Sequence, residues 1–552
     1  MPVFTVGPNS TYPSIAAAMA AAGPGDTISL EPGYSSETAT VQHEGMTLTG
    51  AASSLGIQLN LATGIATVTL AGEAPINLAD AADGNAIVGN DGANLITVTA
   101  GADSVSGGLG EDRLFVDYRL ATGAVTGNTS SNVAEAGGGG RLVTINGGFE
   151  DFIIWTGSGA DTITTGDGDD HIFTGDGAGT ITAGEGTNNI VTGNGADTIT
   201  GGSGGNNVVT GNGANTVTTG AGLDRIQTGT DADTIVSGAG QDRITALGGA
   251  DSVDAGAGWD TLVVDYAAAT TAVTGGVTNG DGLAGHGGHI ADLAVATLDF
   301  VGVERFLVTT GSGADSIVTG DNQDSISTGA GADRLDGGAG VDLLTGGSGN
   351  DTYIVDNAGD QLVELAGGGD DDVAMASVSY RLAYGVNDLV LTGSAARGIG
   401  NSLSNQITGN SVANSLQGLE GNDRLVGGGG ADRLYGGDGN DLLQGDGGAD
   451  GYYFDASLDA STNVDRIVGF SVADDTIFLD QTYFKGLAAG TLSASAFRTG
   501  TAAGDSSDRI IHNAGTGQLF YDPDGTGGAA QTLFATVSTG LALTNADFIA
   551  VI

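Results

Sequence analysis

A large aliphatic side chain returns every nine residues over much of this chain. Ile163, Ile172, Ile181 and Ile190 begin one such series, which continues to Leu262. Each is flanked by polar or small residues, so the local pattern is a three-residue strand with one inward side chain. The six residues before it follow x-G-x-G-x-D, as in TGSGADTIT and GGSGNDTYI. Glycine tolerates positive φ, so these six residues predict a tight turn. Two units then make an 18-residue coil with a turn on each side. Stacked coils predict an all-β fold, a right-handed parallel β-roll or β-helix solenoid with a narrow core of Ile, Val and Leu.

The unit occurs in blocks. Three units span 89–115, twelve run without insertion from Thr156 to Val263, five run from Thr310 to Ile354, and four run from Gly418 to Tyr453. Two degenerate units, GNSLSNQIT and GNSVANSLQ, precede the last block, so that segment is taken as 400–453. Two interruptions, 116–155 and 264–309, share Val-Asp-Tyr openings (Val116–Tyr118 and Val264–Tyr266), and Phe152 near the end of one matches Phe306 near the end of the other. They predict longer strands that leave and rejoin the roll, as either a partner-binding surface or decoration. Residues 1–88 read as an Ala-rich helix, a Gly-Pro-Gly turn and short strands, a cap for one end of the solenoid. Residues 355–399 are a β spacer, and 454–552 turn aromatic and less repetitive.

Charge adds a requirement. With 66 acids against 15 bases the formal net charge is -51, and Lys485 is the only lysine. Such a chain repels itself when compact unless cations neutralise it. Nucleic acid is excluded as a partner because phosphate contacts need clustered Lys and Arg. There is no cysteine, hence neither disulfide nor thiolate site. No apolar run is long enough to span a bilayer, and the N-terminal residues lack the basic and apolar regions of a Sec signal.

The glycine- and aspartate-rich nonapeptide resembles the RTX family, on units such as GGAGVDLLT and GGSGNDTYI. The resemblance implies Ca2+ between turns stacked on one side, held by the sixth-position Asp and by backbone carbonyls, as a hard cation prefers. Same-side neighbours lie two units apart. The implied ligands are therefore Asp224, Asp242 and Asp260 with Asp233 and Asp251 in the long block. In the next they are Asp315, Asp333 and Asp351 with Asp324 and Asp342. In the last they are Asp423 with Asp441, and Asp432 with Asp450. Between Thr174 and Thr218 the sixth position is often Asn (Asn188, Asn206, Asn215) or Gly179. That stretch is expected to stand without metal, through amide stacking. Residues 1–88 also resemble the start of pectate-lyase-type β-helices. The C-terminal region (DRIVGFSVADDTIFLDQTYF) is similar to serralysin-like proteins, which implies export by type I secretion machinery and folding on calcium outside the cell.

No catalytic motif stands out. The His-Glu-x-x-His zinc motif of serralysins is absent, and no G-x-S-x-G elbow or phosphate loop occurs. His286 and His289 (AGHGGHI) are expected in a solvated Gly-rich loop in preference to a metal site. The reading is a non-enzymatic, secreted calcium-binding structural protein of a surface layer or matrix, self-assembling or adhering to a cell-surface glycan. The alternative is a lyase- or epimerase-like enzyme using Arg119, Arg141, Tyr118 or Tyr266. A further alternative is an ice-binding adhesin, since threonine fills many first and ninth positions (Thr156, Thr164, Thr165, Thr174), although threonine is also a good strand former.

Overall fold

Each nonapeptide places its aliphatic residue inward and its flanking residues outward. In the strand Thr162–Thr164, Thr162 is exposed and Ile163 is fully buried. The computed structural model describes residues 1–552 except 82, 137–138, 281–284, 293–295 and 365–370, and at 279–280 the backbone alone. It divides into two units, one of Met1–Asp265, Thr278–Ala291 and Val295–Glu304, the other of Tyr266–Val277, Asp292–Ala294 and Arg305–Ile552. Each is a stack of parallel β coils.

In the first unit, one sheet of the long block contains Thr162–Thr164, Thr180–Thr182, Thr198–Thr200, Thr216–Thr218 and Thr234–Val236. The other contains His171–Phe173, Asn189–Val191, Asn207–Val209 and Arg225–Gln227. Register is strict: Ile163 faces Ile181, Ile199 and Val217 in turn, and Ile172 faces Ile190, Val208 and Ile226. All of these are fully buried, each contributing roughly 1.5–3 kcal/mol by leaving water.

The turns need glycine for two reasons at once. Gly195 has φ +150°, and a Cβ there would lie 2.5 Å from the Gly177 carbonyl carbon one coil earlier. The coils stack backbone on backbone, with no room for a side chain.

Residues 1–88 are themselves coils. Val3–Val6 pairs in parallel with Thr27–Leu30, followed by Met46–Gly50, Thr67–Gly72 and Ala86–Val88. A helix, Ile15–Ala21, starts at Ser14, whose Oγ accepts the Ala17 N–H, and buries Ile15, Ala18 and Met19. The first interruption differs from the expected departure. Val125–Asn128, Asn132–Glu135 and Arg141–Ile145 form an antiparallel meander that stays in the sheet. Its outer strands pair in parallel with Thr162–Thr164 and Gly101–Ser106. Backbone pairing is thus kept on both sides, which an excursion into solvent would have forfeited.

In the second unit, parallel pairing runs from Ser316–Val318 through Arg334–Asp336, Thr352–Val355, Val373–Ala376, Asp388–Leu391 and Gln406–Thr408 to Arg424–Gly429 and Leu442–Gly447. The spacer and the degenerate units therefore continue the coils. Near the C-terminus, Ile510–Asn513, Gln518–Tyr521 and Thr532–Thr536 pair antiparallel. Phe484 packs edge-on against Tyr521 and Phe534 there, at 5.3 and 5.1 Å.

Candidate metal centres

The sixth residue of each unit ends its turn, and its side chain folds under that turn, out of water. Asp224, Asp233, Asp242, Asp251, Asp260, Asp315, Asp324, Asp333, Asp342, Asp351, Asp423, Asp432, Asp441 and Asp450 are all buried. One carboxylate oxygen, Oδ1, accepts the backbone N–H of the sixth residue one coil earlier. The Asp224 N–H donates to Asp242 at 2.9 Å, Asp242 to Asp260 at 2.8 Å and Asp233 to Asp251 at 2.8 Å. The same bond joins Asp315 to Asp333 (2.7 Å), Asp333 to Asp351 (2.9 Å) and Asp324 to Asp342 (2.9 Å). It also joins Asp423 to Asp441 (2.8 Å) and Asp432 to Asp450 (2.9 Å). Every same-side pair named from the sequence is thereby brought together.

The second oxygen decides the chemistry. Among the described residues, Oδ2 of every one of these aspartates except Asp315 and Asp324 is buried and finds no hydrogen-bond partner. An anionic oxygen removed from water without a donor costs several kcal/mol, so a column of them calls for a cation. Burial accordingly pushes the carboxyls of Asp251, Asp260, Asp342 and Asp423 up to about 7. Those of Asp351, Asp432 and Asp441 rise to about 6 for the same reason.

The first residue of the unit modulates this. Where it is threonine, its hydroxyl can take the second oxygen, as Thr310 does for Asp315. At Asp324 the second oxygen accepts the Gly320 N–H at 3.2 Å. Where it is glycine, the space beside Oδ2 is bare backbone. A Cβ on Gly337, Gly427 or Gly436 would lie 2.2–2.4 Å from the Oδ2 of Asp342, Asp432 or Asp441.

The asparagine units solve the same problem without charge. The Asn206 amide donates to the Gly202 and Gly204 carbonyls at 3.2 and 2.8 Å and to Asp224 Oδ1 at 3.0 Å. The Asn188 amide donates to Gly184 O and to Asn206 Oδ1, both at 3.1 Å. The amide NH2 thus gathers turn carbonyls and a neighbouring side-chain oxygen, the donor set a hard cation would gather.

A family model for the RTX calcium-binding nonapeptide repeat (four copies) matches residues 82–117, 153–181, 182–217, 209–244, 236–265, 309–344, 318–353, 327–362, 399–434 and 417–452. The chain carries RTX calcium-binding nonapeptide repeats. No curated protein matches it. RTX repeats bind calcium ions, and the oxygen-only surroundings of the orphaned carboxylates fit that cation.

Several acids extend the RTX ladders beyond the pairs drawn from sequence. Asp103 and Asp112 in the early block accept the N–H of Asn85 and Asn94 at 2.8 Å and keep an unpartnered Oδ2. Asp170 and Asp197, whose same-side neighbours Asn188 and Asn215 are asparagines, also keep one. At each interruption a glutamate takes the next N–H: Glu150 from Asp112 and Glu304 from Asp260, both at 2.6 Å. Their matching places in GFEDF and GVERF were the available signal. Asp360, Asp372, Asp465 and Asp475 accept from Asp342, Asp351, Asp441 and Asp450 at 2.8–3.1 Å. Oxygens of Asp351, Glu364 and Asp372 lie within 4.8 Å of one another, a group that could hold a metal ion.

The residues considered for other chemistry fall elsewhere. His286 and His289 lie on a strand, His286–Asp292, not in a solvated loop. A spacing of three sends them to opposite faces: His286 is buried, and His289 is exposed and pairs with Asp299 at 2.7 Å. Tyr118 and Tyr266 are buried. Arg119 is held by Asp117 and lies over the Trp155 ring, and Arg141 is held by Glu135. No helix of the described residues is long and apolar enough to cross a membrane.

Proposed function

We propose that this chain is an exported structural protein that folds on calcium outside the cell and serves in a surface layer or extracellular matrix. Calcium is held between same-side coils by the aspartate pairs 224–242–260, 233–251, 315–333–351, 324–342, 423–441 and 432–450. Bound there, the cation neutralises the buried oxygens. The observation that carries this reading is the column of buried Oδ2 atoms without a donor, in a chain of net charge -51.

The same column supports the route. Without calcium, each closed coil confines an uncompensated carboxylate, so the acidic blocks stay open in a low-calcium cytosol and can be exported unfolded. Extracellular calcium then makes folding favourable, since binding free energy is folding free energy when no site exists in the open chain. The resemblance of residues 454–552 to serralysin-like C-termini supports type I export. Adhesion to a cell-surface glycan is the close variant of the matrix role.

Electron microscopy of the purified protein tests the assembly. Ordered sheets or filaments that appear with calcium and disperse in EDTA are expected. Dispersed particles in calcium, with β structure already formed, would refute the surface-layer role.

A further inference from the structure

The two sheets of the long roll show solvent different surfaces. On one, parallel register stacks Thr126, Thr162, Thr180, Thr198, Thr216 and Thr234 in a single column. Two residues along each strand runs a second column, Asn128, Thr164, Thr182, Thr200 and Thr218. The first column is exposed throughout, and the second is exposed or half-exposed. Over these coils no charged side chain enters either column, in a protein with 66 acids; beyond them the register carries the first column to Ser252 and the second to Val236 and Asp254. Among the described residues, no threonine hydroxyl of the two columns makes a hydrogen bond within the protein, so all of them face outward chemistry.

The opposite sheet of the same coils is irregular. Its outward residues are His171 and Phe173, then Asn189 and Val191, then Asn207 and Val209, then Arg225 and Gln227. Strand propensity would favour threonine on both sheets equally, yet it fills one. Propensity therefore does not account for the array.

We infer that this threonine face binds ice. Neighbouring strands lie about 4.8 Å apart, and residues two apart on a strand lie about 6.7 Å apart. In-register three-residue strands set these threonines in a net with those two repeats. The repeats lie close to the two oxygen repeats on the prism face of hexagonal ice. Each threonine presents a methyl beside its hydroxyl, so the net can order water without the ionic hydration shells that disrupt a lattice.

Other occupants fit less well. A cation would want carboxylates, an anionic polymer would want Arg or Lys, and the face has neither. A crystalline glycan would want aromatic platforms, but the ring stack of Phe115, Trp155 and Phe173 lies on the other sheet. The array also overlies the stretch where Asn188 and Asn206 replace carboxylates beneath the turns. Its geometry there is held by amide hydrogen bonds.

The test uses the full chain folded in calcium, with circular dichroism to confirm the fold. Wild type is expected to inhibit ice recrystallisation and to shape growing ice crystals. Thr198→Tyr, a good strand former in the middle of the net, is expected to lose this activity while keeping the wild-type spectrum. Asn207→Tyr on the opposite sheet is expected to keep both. Folded wild type without effect on ice overturns the inference. So does equal loss in Asn207→Tyr, or Thr198-dependent binding to microcrystalline cellulose in place of ice.

Discussion

Replacing Asn206 by aspartate exchanges one amide nitrogen for one oxygen, with no change of shape. Asn206 is 1% exposed, and the two hydrogens of its Nδ2 are shared among three oxygens, Gly202 O, Gly204 O and Asp224 Oδ1. In the variant all three become oxygen facing oxygen. An uncompensated buried charge of this kind costs about 3–5 kcal/mol. In EDTA the coil around residue 206 should therefore open far more often. With calcium the sign reverses, because the new carboxylate would form with Asp224 a same-side pair of the sort that Asp224 forms with Asp242. Saturation at about a hundredfold above Kd returns about 2.7 kcal/mol. Coils of a solenoid contact only their neighbours, so the effect stays local. The assay is hydrogen exchange read by mass spectrometry over the strands Asn189–Val191 and Asn207–Val209. In EDTA, exchange there should speed up about a hundredfold or more relative to wild type, and calcium should recover most of the protection. Equal loss with and without calcium would refute the claim that the asparagine amide occupies a cation's place. So would a variant as protected as wild type in EDTA.

Three further outcomes are expected. Burial raises the carboxyls of Asp251, Asp260, Asp342 and Asp423 to about 7 in the metal-free protein. The folded chain then holds protons that the unfolded chain releases above about 4. Metal-free stability therefore rises as pH falls from about 7 to about 4 and is lost as pH rises through about 7. In EDTA, circular dichroism should show more β structure near pH 5 than near pH 8, and calcium affinity should fall over the same descent as protons compete for the oxygens; no pH effect on the metal-free spectrum would count against it. Asp342→Ala should raise the calcium concentration needed for folding, whereas Asn206→Ala should cost about 1–3 kcal/mol with or without calcium, measured by calcium titration and denaturant unfolding; identical behaviour would mean the two turns are not different in kind. On removal of calcium, exchange should accelerate first in strands Arg424–Gly429 and Leu442–Gly447 and last in Thr180–Thr182 and Thr198–Thr200, and the reverse order would sink the assignment of metal-dependent and amide-held coils.

The coil, its core and its asparagine-held middle were legible because each depends on a residue type at a fixed offset. Ile163 and Ile181 face each other because 18 residues close one coil, and Asn206 stands where Asp224 stands in the next. The extensions of the ladder were hidden where the offset breaks. Asp372, Asp465 and Asp475 follow their partners by 21, 24 and 25 residues, because loops of other lengths return the chain to the same rung. The first interruption was misjudged for a related reason. Buried apolar residues such as Val125, Val133 and Val143 signal strands but not direction, and an antiparallel meander satisfies the same sheet that parallel coils build. What the repeat pattern conceals most is the fate of the second carboxylate oxygen. Asp315 and Asp342 occupy identical places in their units, yet Thr310 supplies a hydroxyl to one while Gly337 leaves the other bare. The sixth residue thus marks where a cation can sit, and a first-position hydroxyl, five positions earlier, relieves that need only where it turns to the carboxylate, as Thr310 does and Thr328, donating to Gly346 O, does not.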